Sequence, residues 1–497
     1  ATLKLAAQFD PENRIDLDVD SALPDTLKDF DKISARGTID VFTPDLVALS
    51  LPADVIGDLT MHTDFRVENK KLSAQAVLDS SNLAFSGAEL SGTHVRIDIE
   101  KDFEQEPDAP VFAKLVSRLE GGVKSLRFQD YLTDSLDVLL SSRNESVLLE
   151  RLTLAKGSNS LRLKANYSLP ADLSSWEREP LDFDLAVEAP DLSAFVVPDS
   201  GANLKGTLRI TGQGTSRDRT YKGDFVITGR DMEVQGLPIR SIDGRLEAAE
   251  GQARLQQFDL VFNDKNTLHG SATMHLAEPF DYRGSLDVQL ADLSIFQVLL
   301  EQEAIAPALG GSLRLTWEGD GDFRAAQHNG NATVDLTAGQ YGDLKDLTAH
   351  AAASYSPQFI NIPDLRLTAG KYGQALLSLF WKENRLSLFN FSVHQNKLTL
   401  IEGSAELPLH LSEAQHPDRL IPNNEALKLA LRSKDLDLRA LFNQFGEQKP
   451  PITGVINLDV NAQGTLDELV AKATLRGAQL KSPDAAQLDP ASVSLDL

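Results

Sequence analysis

Apolar residues recur at every second position along most of this chain, and the runs are bounded by Gly, Pro, Asn or Asp. Clear runs are Phe183-Leu185-Val187, Phe225-Ile227, Leu286-Val288-Leu290, Val334-Leu336 and Leu427-Leu429-Leu431. Asp, Arg, Thr, Lys and Glu stand between them, so each run reads as a strand with one apolar and one wet face. Antiparallel hairpins give that alternation, whereas parallel strands covered on both sides give continuous apolar runs. The expected class is therefore all-β.

A longer pattern is laid over the alternation. Four times an Asp-Leu pair, a short helical segment and a strand-opening glycine follow one another: Asp45-Leu46 to Gly57, Asp191-Leu192 to Gly206, Asp292-Leu293 to Gly311, and Asp435-Leu436 to Gly454. The second and fourth residues after each glycine are apolar: Leu59 and Met61, Leu208 and Ile210, Leu313 and Leu315, Ile456 and Leu458. Trp317 and Val460 continue the phase, while Arg209, Arg314 and Asn457 fall on the opposite face and are expected in solvent. The Asp suits a helix N-cap, and Leu293, Phe296 and Leu300, like Leu438, Leu441, Phe442 and Phe445, follow at helical spacing. A phase match of this kind marks a repeat-built β-protein. It divides the chain into the end of a preceding repeat (1–44), repeats at 45–190, 191–291 and 292–434, and the start of another at 435–497.

Three local departures stand out. Val111, Leu115, Val116 and Leu119 share a helical face and predict a helical excursion near 110–120, after a solvated loop at 104–108. Residues 412–424, with Pro417 and Pro422, read as a second loop. Leu386 and Leu388 share one phase and Phe389, Phe391 and Val393 the other, which a β-bulge near Leu388 would reconcile.

Composition narrows function by exclusion. With 48 Lys+Arg against 73 Asp+Glu the net charge is −25, which repels nucleic acid and anionic membrane surfaces. There is no cysteine, so disulfides, zinc ribbons and thiol catalysis are excluded. No apolar run approaches the ~18 residues of a membrane-spanning helix. The alternation at Leu3-Leu5-Ala7 and Val493-Leu495-Leu497 reads as strand at both ends, as expected of a mid-chain fragment.

The candidate chemical motifs have plainer readings. Gly212-Gln213-Gly214 and Gly319-Asp320-Gly321 do not continue as a dinucleotide fingerprint and read as hairpin turns. Asp16, Asp18 and Asp20 lack the glycine and terminal glutamate of a calcium loop, and the interleaved Leu17 and Val19 make them the wet face of a strand. His269 with His275 and His410 with His416 lack a third ligand at metal-site spacing. No catalytic constellation, metal site or cofactor site is expected, and the chain does not read as an enzyme. Trp317, Phe225, Phe262, Phe389 and Phe391 lie in phase with the aliphatic face and read as its lining. With aromatics at 6% and Leu predominant, that face suits a dry sandwich core and a trough for acyl chains equally well.

Asp435-Leu436-Asp437-Leu438-Arg439-Ala440-Leu441-Phe442, then Pro451-Ile452-Thr453-Gly454-Val455-Ile456-Asn457-Leu458 and Gly464-Thr465-Leu466, resemble the large AsmA-like proteins, the TamB-like ones in particular. Gly206-Thr207-Leu208-Arg209-Ile210 and Gly311-Ser312-Leu313-Arg314-Leu315 carry the same resemblance, which covers most of the chain through its repeat. It implies an elongated antiparallel β-sheet curled into an open groove, with short helical segments between repeats. It also implies a parent protein anchored in the inner membrane of a diderm bacterium and spanning the periplasm. There the groove would shield and conduct phospholipids toward the outer membrane, with an outer-membrane β-barrel protein as a possible partner. The family's membrane helix and its barrel-docking segment are not in this sequence and are expected outside the fragment. The groove floor would comprise Leu59, Met61, Phe183, Leu185, Val187, Leu208, Ile210, Phe225, Ile227, Leu286, Val288, Leu290, Leu313, Leu315, Trp317, Val334, Leu336, Leu427, Leu429, Leu431, Ile456, Leu458 and Val460. Two rival readings are a chaperone or scaffold that receives outer-membrane strands by β-augmentation, and a closed sandwich array acting as scaffold or adhesin.

Overall fold

Side chains of a strand point alternately to its two faces, and residues directly opposite one another across an antiparallel pair share a face, so register shows which side chains line up. The computed structural model describes residues 2–8, 13–22, 34–49, 55–103, 114–129, 131–143, 145–170, 178–196, 203–218, 220–300, 307–324, 327–370, 373–396, 398–411, 420–444, 451–482 and 489–496. These form two units, Ala1–Phe258 and Asp259–Leu497, each an antiparallel sheet. Neither is closed into a barrel.

In the first unit one row of facing residues crosses thirteen strands: Ile15, Val41, Met61, Leu78, Val95, Gly121, Val138, Leu152, Leu163, Leu185, Gly212, Phe225 and Leu246. Every member is apolar or glycine. The second unit repeats the arrangement with Leu268, Val288, Leu315, Val334, Ala351, Leu365 and Leu377. Past the bulges it continues as Ile362, Leu379, Leu388, Ala405, Leu429, Ala462 and Ala471. The opposite face carries ion pairs such as Arg162–Glu188 at 3.2 Å and Arg432–Glu402 at 2.7 Å. In solvent each is worth only about 0–1 kcal/mol, so they keep that face wet more than they hold the sheet.

The helical punctuation is local and side-chain driven. Asp191 and Asp292 cap the 3-10 segments Leu192–Phe195 and Leu293–Phe296 by accepting the backbone N–H of Ser193 and Ser294. In the last repeat the cap is Asp437, which accepts the N–H of Arg439 and Ala440 and starts the α-helix Leu438–Gln444. Asp435, expected in that role, lies instead in a bulge of strand Leu427–Asp437 at φ +50°. Its N–H donates to Asn457 Oδ1 at 2.9 Å, so Asn457 is half-buried rather than in solvent.

The repeat glycines do not open strands. Gly206 and Gly311 are the third residues of strands Leu204–Arg217 and Leu309–Asp322, at φ +104° and +103°. A Cβ on either would stand 2.5 Å from Met232 Cα or 2.6 Å from Gly339 Cα. Each faces a bulge whose residue has positive φ, Asp231 or Ala338. Beyond such a bulge the side-chain phase reverses. Past the bulge at Asp231, Met232 stands opposite Ile239, and both are buried, as is Leu237.

The three local departures fare differently. Residues 104–113 lie outside the described residues, but Leu115–Val123 is a strand, not helix: Leu115, Ser117 and Leu119 alternate inward and the partner strands complete the ladder. Of the expected loop at 412–424, residues 412–419 lie outside the described residues. The bulge near Leu388 is present, with the register shifting between Leu388 and Phe391 and Asn390 at φ +54°. It keeps Leu388 and Phe391 on the apolar face and turns Phe389, 41% exposed, out to the wet one.

Candidate lipid-facing groove

All but two of the expected floor residues are half-buried; only Leu290 and Leu427, each 7% exposed, are buried. In the first unit Leu59 and Met61 lie on strand Leu59–Glu68, with Met61 between Val41 and Leu78. Val187, Ile210 and Ile227 form one cross-strand row, Leu185, Gly212 and Phe225 the next, Phe183, Gly214 and Gly223 a third, and Leu208 sits between Ala189 and Gly229. In the second unit the rows are Leu290–Leu313–Leu336, Val288–Leu315–Val334 and Leu286–Trp317–Ala332. Leu431 faces Val460 and Leu429 faces Ala462, Leu427 closes on Gly464, and Leu458 and Ile456 stand opposite Ser433 and Leu436.

A packed interior would leave such residues with almost no accessible surface. Here full burial of apolar side chains is reached beside the Asp-Leu segments, as at Leu46, Leu192, Leu290, Leu436 and Leu438, and otherwise only locally, at Met232, Leu237 and Ile239 and at Ala405, Leu427 and Ala462 among the described residues. The apolar face of each unit is thus a long, partly wet surface fastened at its margin. Two buried asparagines help fasten it. Asn159 Nδ2 donates to the Asp191 carbonyl at 2.7 Å, and its Oδ1 accepts the Asp191 N–H at 3.0 Å. Asn266 holds Asp292 in the same way at 3.1 and 3.0 Å. Asn13 reaches the first Asp-Leu segment through the Thr43 hydroxyl, which also donates to the Asp45 carbonyl. Sequence reading missed these residues, although each stands just before or at the start of the strand that pairs with the one entering the Asp-Leu turn. Hydrogen bonds from the Ser294 hydroxyl and backbone hold the Asp292 carboxyl below the usual range.

The two Gly-x-Gly pairs are not turns. Gly212, Gly214, Gly319 and Gly321 lie within strands and carry aromatic rings above them. A Cβ at Gly212 would stand 2.1 Å from Phe225 Cδ1, at Gly214 2.6 Å from Phe183 Cζ, and at Gly319 2.6 Å from Trp317 Cζ2. The missing side chain is space for a ring, which adjacent alternation alone could not reveal.

Three of the histidines singled out by spacing lie beside carboxylates. His269 Nδ1 is 2.6 Å from Asp259, His275 Nδ1 2.8 Å from Asp281 and His410 Nε2 2.8 Å from Glu425; His416 lies outside the described residues. Hydrogen bonding to Asp40 at 2.6 Å raises the His62 pKa above 6.5. Among the described residues no three His, Asp or Glu side chains gather as a metal site, and no helix is long and apolar enough to cross a membrane. A hollow around Phe389 and Val470 is lined by Ser404, Glu406, Lys428, Asn461, Gln463 and Lys472, and also by Leu388, Ala405, Leu429 and Ala462 of the apolar row.

Comparison with known proteins finds no matching family model, curated protein or solved structure.

Proposed function

We propose that this chain is part of a groove that shields and conducts phospholipid acyl chains between the inner and outer membranes of a diderm bacterium, as its resemblance to AsmA-like proteins implies. The carrying observation is the apolar row that persists from strand to strand while its side chains, Ala405 and Ala462 apart, stay partly exposed. Such a surface needs a cover, and acyl chains supply one that can slide along it. Each methylene removed from water contributes about 0.8 kcal/mol, so chains are held without a headgroup contact. The mechanism is passive: acyl chains lie on the Leu/Ile/Val floor, headgroups project from the open side, and no bond is made or broken.

Native mass spectrometry of the purified chain tests this reading. It expects co-purifying phospholipid with little headgroup preference. Lipid-free protein that takes up no added phospholipid would overturn it, and crosslinks to unfolded outer-membrane proteins along strand edges would favour the chaperone reading instead.

A further inference from the structure

The floor of the second unit changes chemistry along its strands. Near the Asp292 turn it is branched aliphatic: Leu290, Leu313 and Leu336, then Val288, Leu315 and Val334. Toward the other strand ends it thins to Gly284, Gly319 and Gly330, which face one another across three strands. Over these glycines lie rings with polar tips. Trp317 covers Gly284 and Gly319, Tyr355 covers Gly330, and Tyr282 and His328 flank Gly321. All four rings are in phase with the apolar face and half-buried.

Their polar atoms are tied in two pairs. Trp317 Nε1 donates to Tyr355 Oη at 2.8 Å, and Tyr282 Oη lies 2.9 Å from His328 Nδ1. Donor arithmetic then leaves something over. Tyr355 Oη accepts the indole proton and keeps its own O–H to give. If Tyr282 donates to a neutral His328, the imidazole Nε2–H is left; if His328 donates, the Tyr282 O–H is left. Either tautomer leaves two donors where an aliphatic floor ends. The nearby Arg324 is ion-paired with Glu278, and the cluster itself contains no lysine or arginine.

We propose that Tyr282, Trp317, His328 and Tyr355 form a docking station for the ester region of a diacyl glycerolipid, with donors to its carbonyl oxygens and its chains lying along Val288, Leu315 and Val334. The assignment rests on the lipid-groove reading. It fits a ligand that is apolar at one end and carries uncharged acceptors at the boundary, and amphipathic rings suit that boundary for the same reason they populate membrane interfaces. An anionic headgroup finds no cation in the cluster, so the station reads the ester and not the headgroup.

The test compares binding of dioleoyl phosphatidylethanolamine and its ether-linked analogue, which lacks both carbonyls, to the whole chain in neutral detergent micelles. The wild type is expected to bind the ester lipid about three- to tenfold more tightly for each hydrogen bond made. The variant Tyr282→Phe/Trp317→Phe/His328→Phe/Tyr355→Phe removes every ring donor, including the indole and imidazole N–H groups that loss of the hydroxyls alone would free, and should lose most of that preference while keeping its affinity for the ether lipid. Equal binding of the two lipids by the wild type overturns the station while leaving the groove intact, and needs no variant to fold. A preference that survives in the folded quadruple variant overturns it too. Failure to bind either lipid removes the groove reading itself.

Discussion

The two units place rings over glycines by the same backbone device and furnish them differently. In the first, Phe183 and Phe225, with centroids 6.2 Å apart, cover Gly212, Gly214 and Gly223 and offer only carbon to the groove. In the second, Trp317, Tyr355, Tyr282 and His328 cover Gly284, Gly319, Gly330 and Gly321 and carry hydroxyl, indole and imidazole groups. Ring-over-glycine packing is thus a property of the scaffold, and polarity is a property of the site. Burial also affects the second cluster, raising the Tyr282 pKa, with Tyr355 and Asp320 adding to it.

The largest expected effect concerns what the units share. Asn159→Ala and Asn266→Ala each strip a backbone N–H and C=O of their partners, and each should cost about 2–3 kcal/mol in denaturant unfolding. A large cost in one unit and none in the other would break the equivalence of the two margins. Gly212→Val and Gly319→Val come next. Both force a ring off the sheet and should cost about 1–3 kcal/mol by overpacking. If Gly319→Val were neutral, Trp317 would not be held as described. The units should part at the hydroxyl: Tyr355→Phe leaves the Trp317 N–H without its acceptor and should cost about 1 kcal/mol, whereas Phe225→Tyr gains no such bond. The smallest effect lies on the wet face. The raised His62 pKa means that its pairing with Asp40 stabilises below pH 6.5 and is lost as pH rises through the folded value. Proton NMR should place His62 above 6.5, and Asp40→Asn should bring it down.

Class and strand phase were legible in the residues because alternation is a nearest-neighbour property of one strand. Leu313, Arg314 and Leu315 show their faces without any partner. What depends on a second strand was not legible. Gly206 reads like a strand opening until Asp231 is placed across from it, and Gly319 reads like a turn until the Trp317 ring is laid on it. Leu115 and Leu119 suit a helix and a strand alike, and the ladder with their neighbours decides. Asp435 and Asp437 offer the same Asp-Leu signal, and only the N–H groups of Arg439 and Ala440 choose between them. Openness of the apolar face was beyond sequence altogether, since a dry core and a trough share one alternation.

That openness is the central claim, and site-specific photo-crosslinking tests it most directly. A photoreactive residue placed at Leu315, half-buried between Val288 and Val334, should capture phospholipid, while one at Arg314, on the opposite face, should not. Equal capture from both positions, or capture from neither in a folded protein, would contradict the groove.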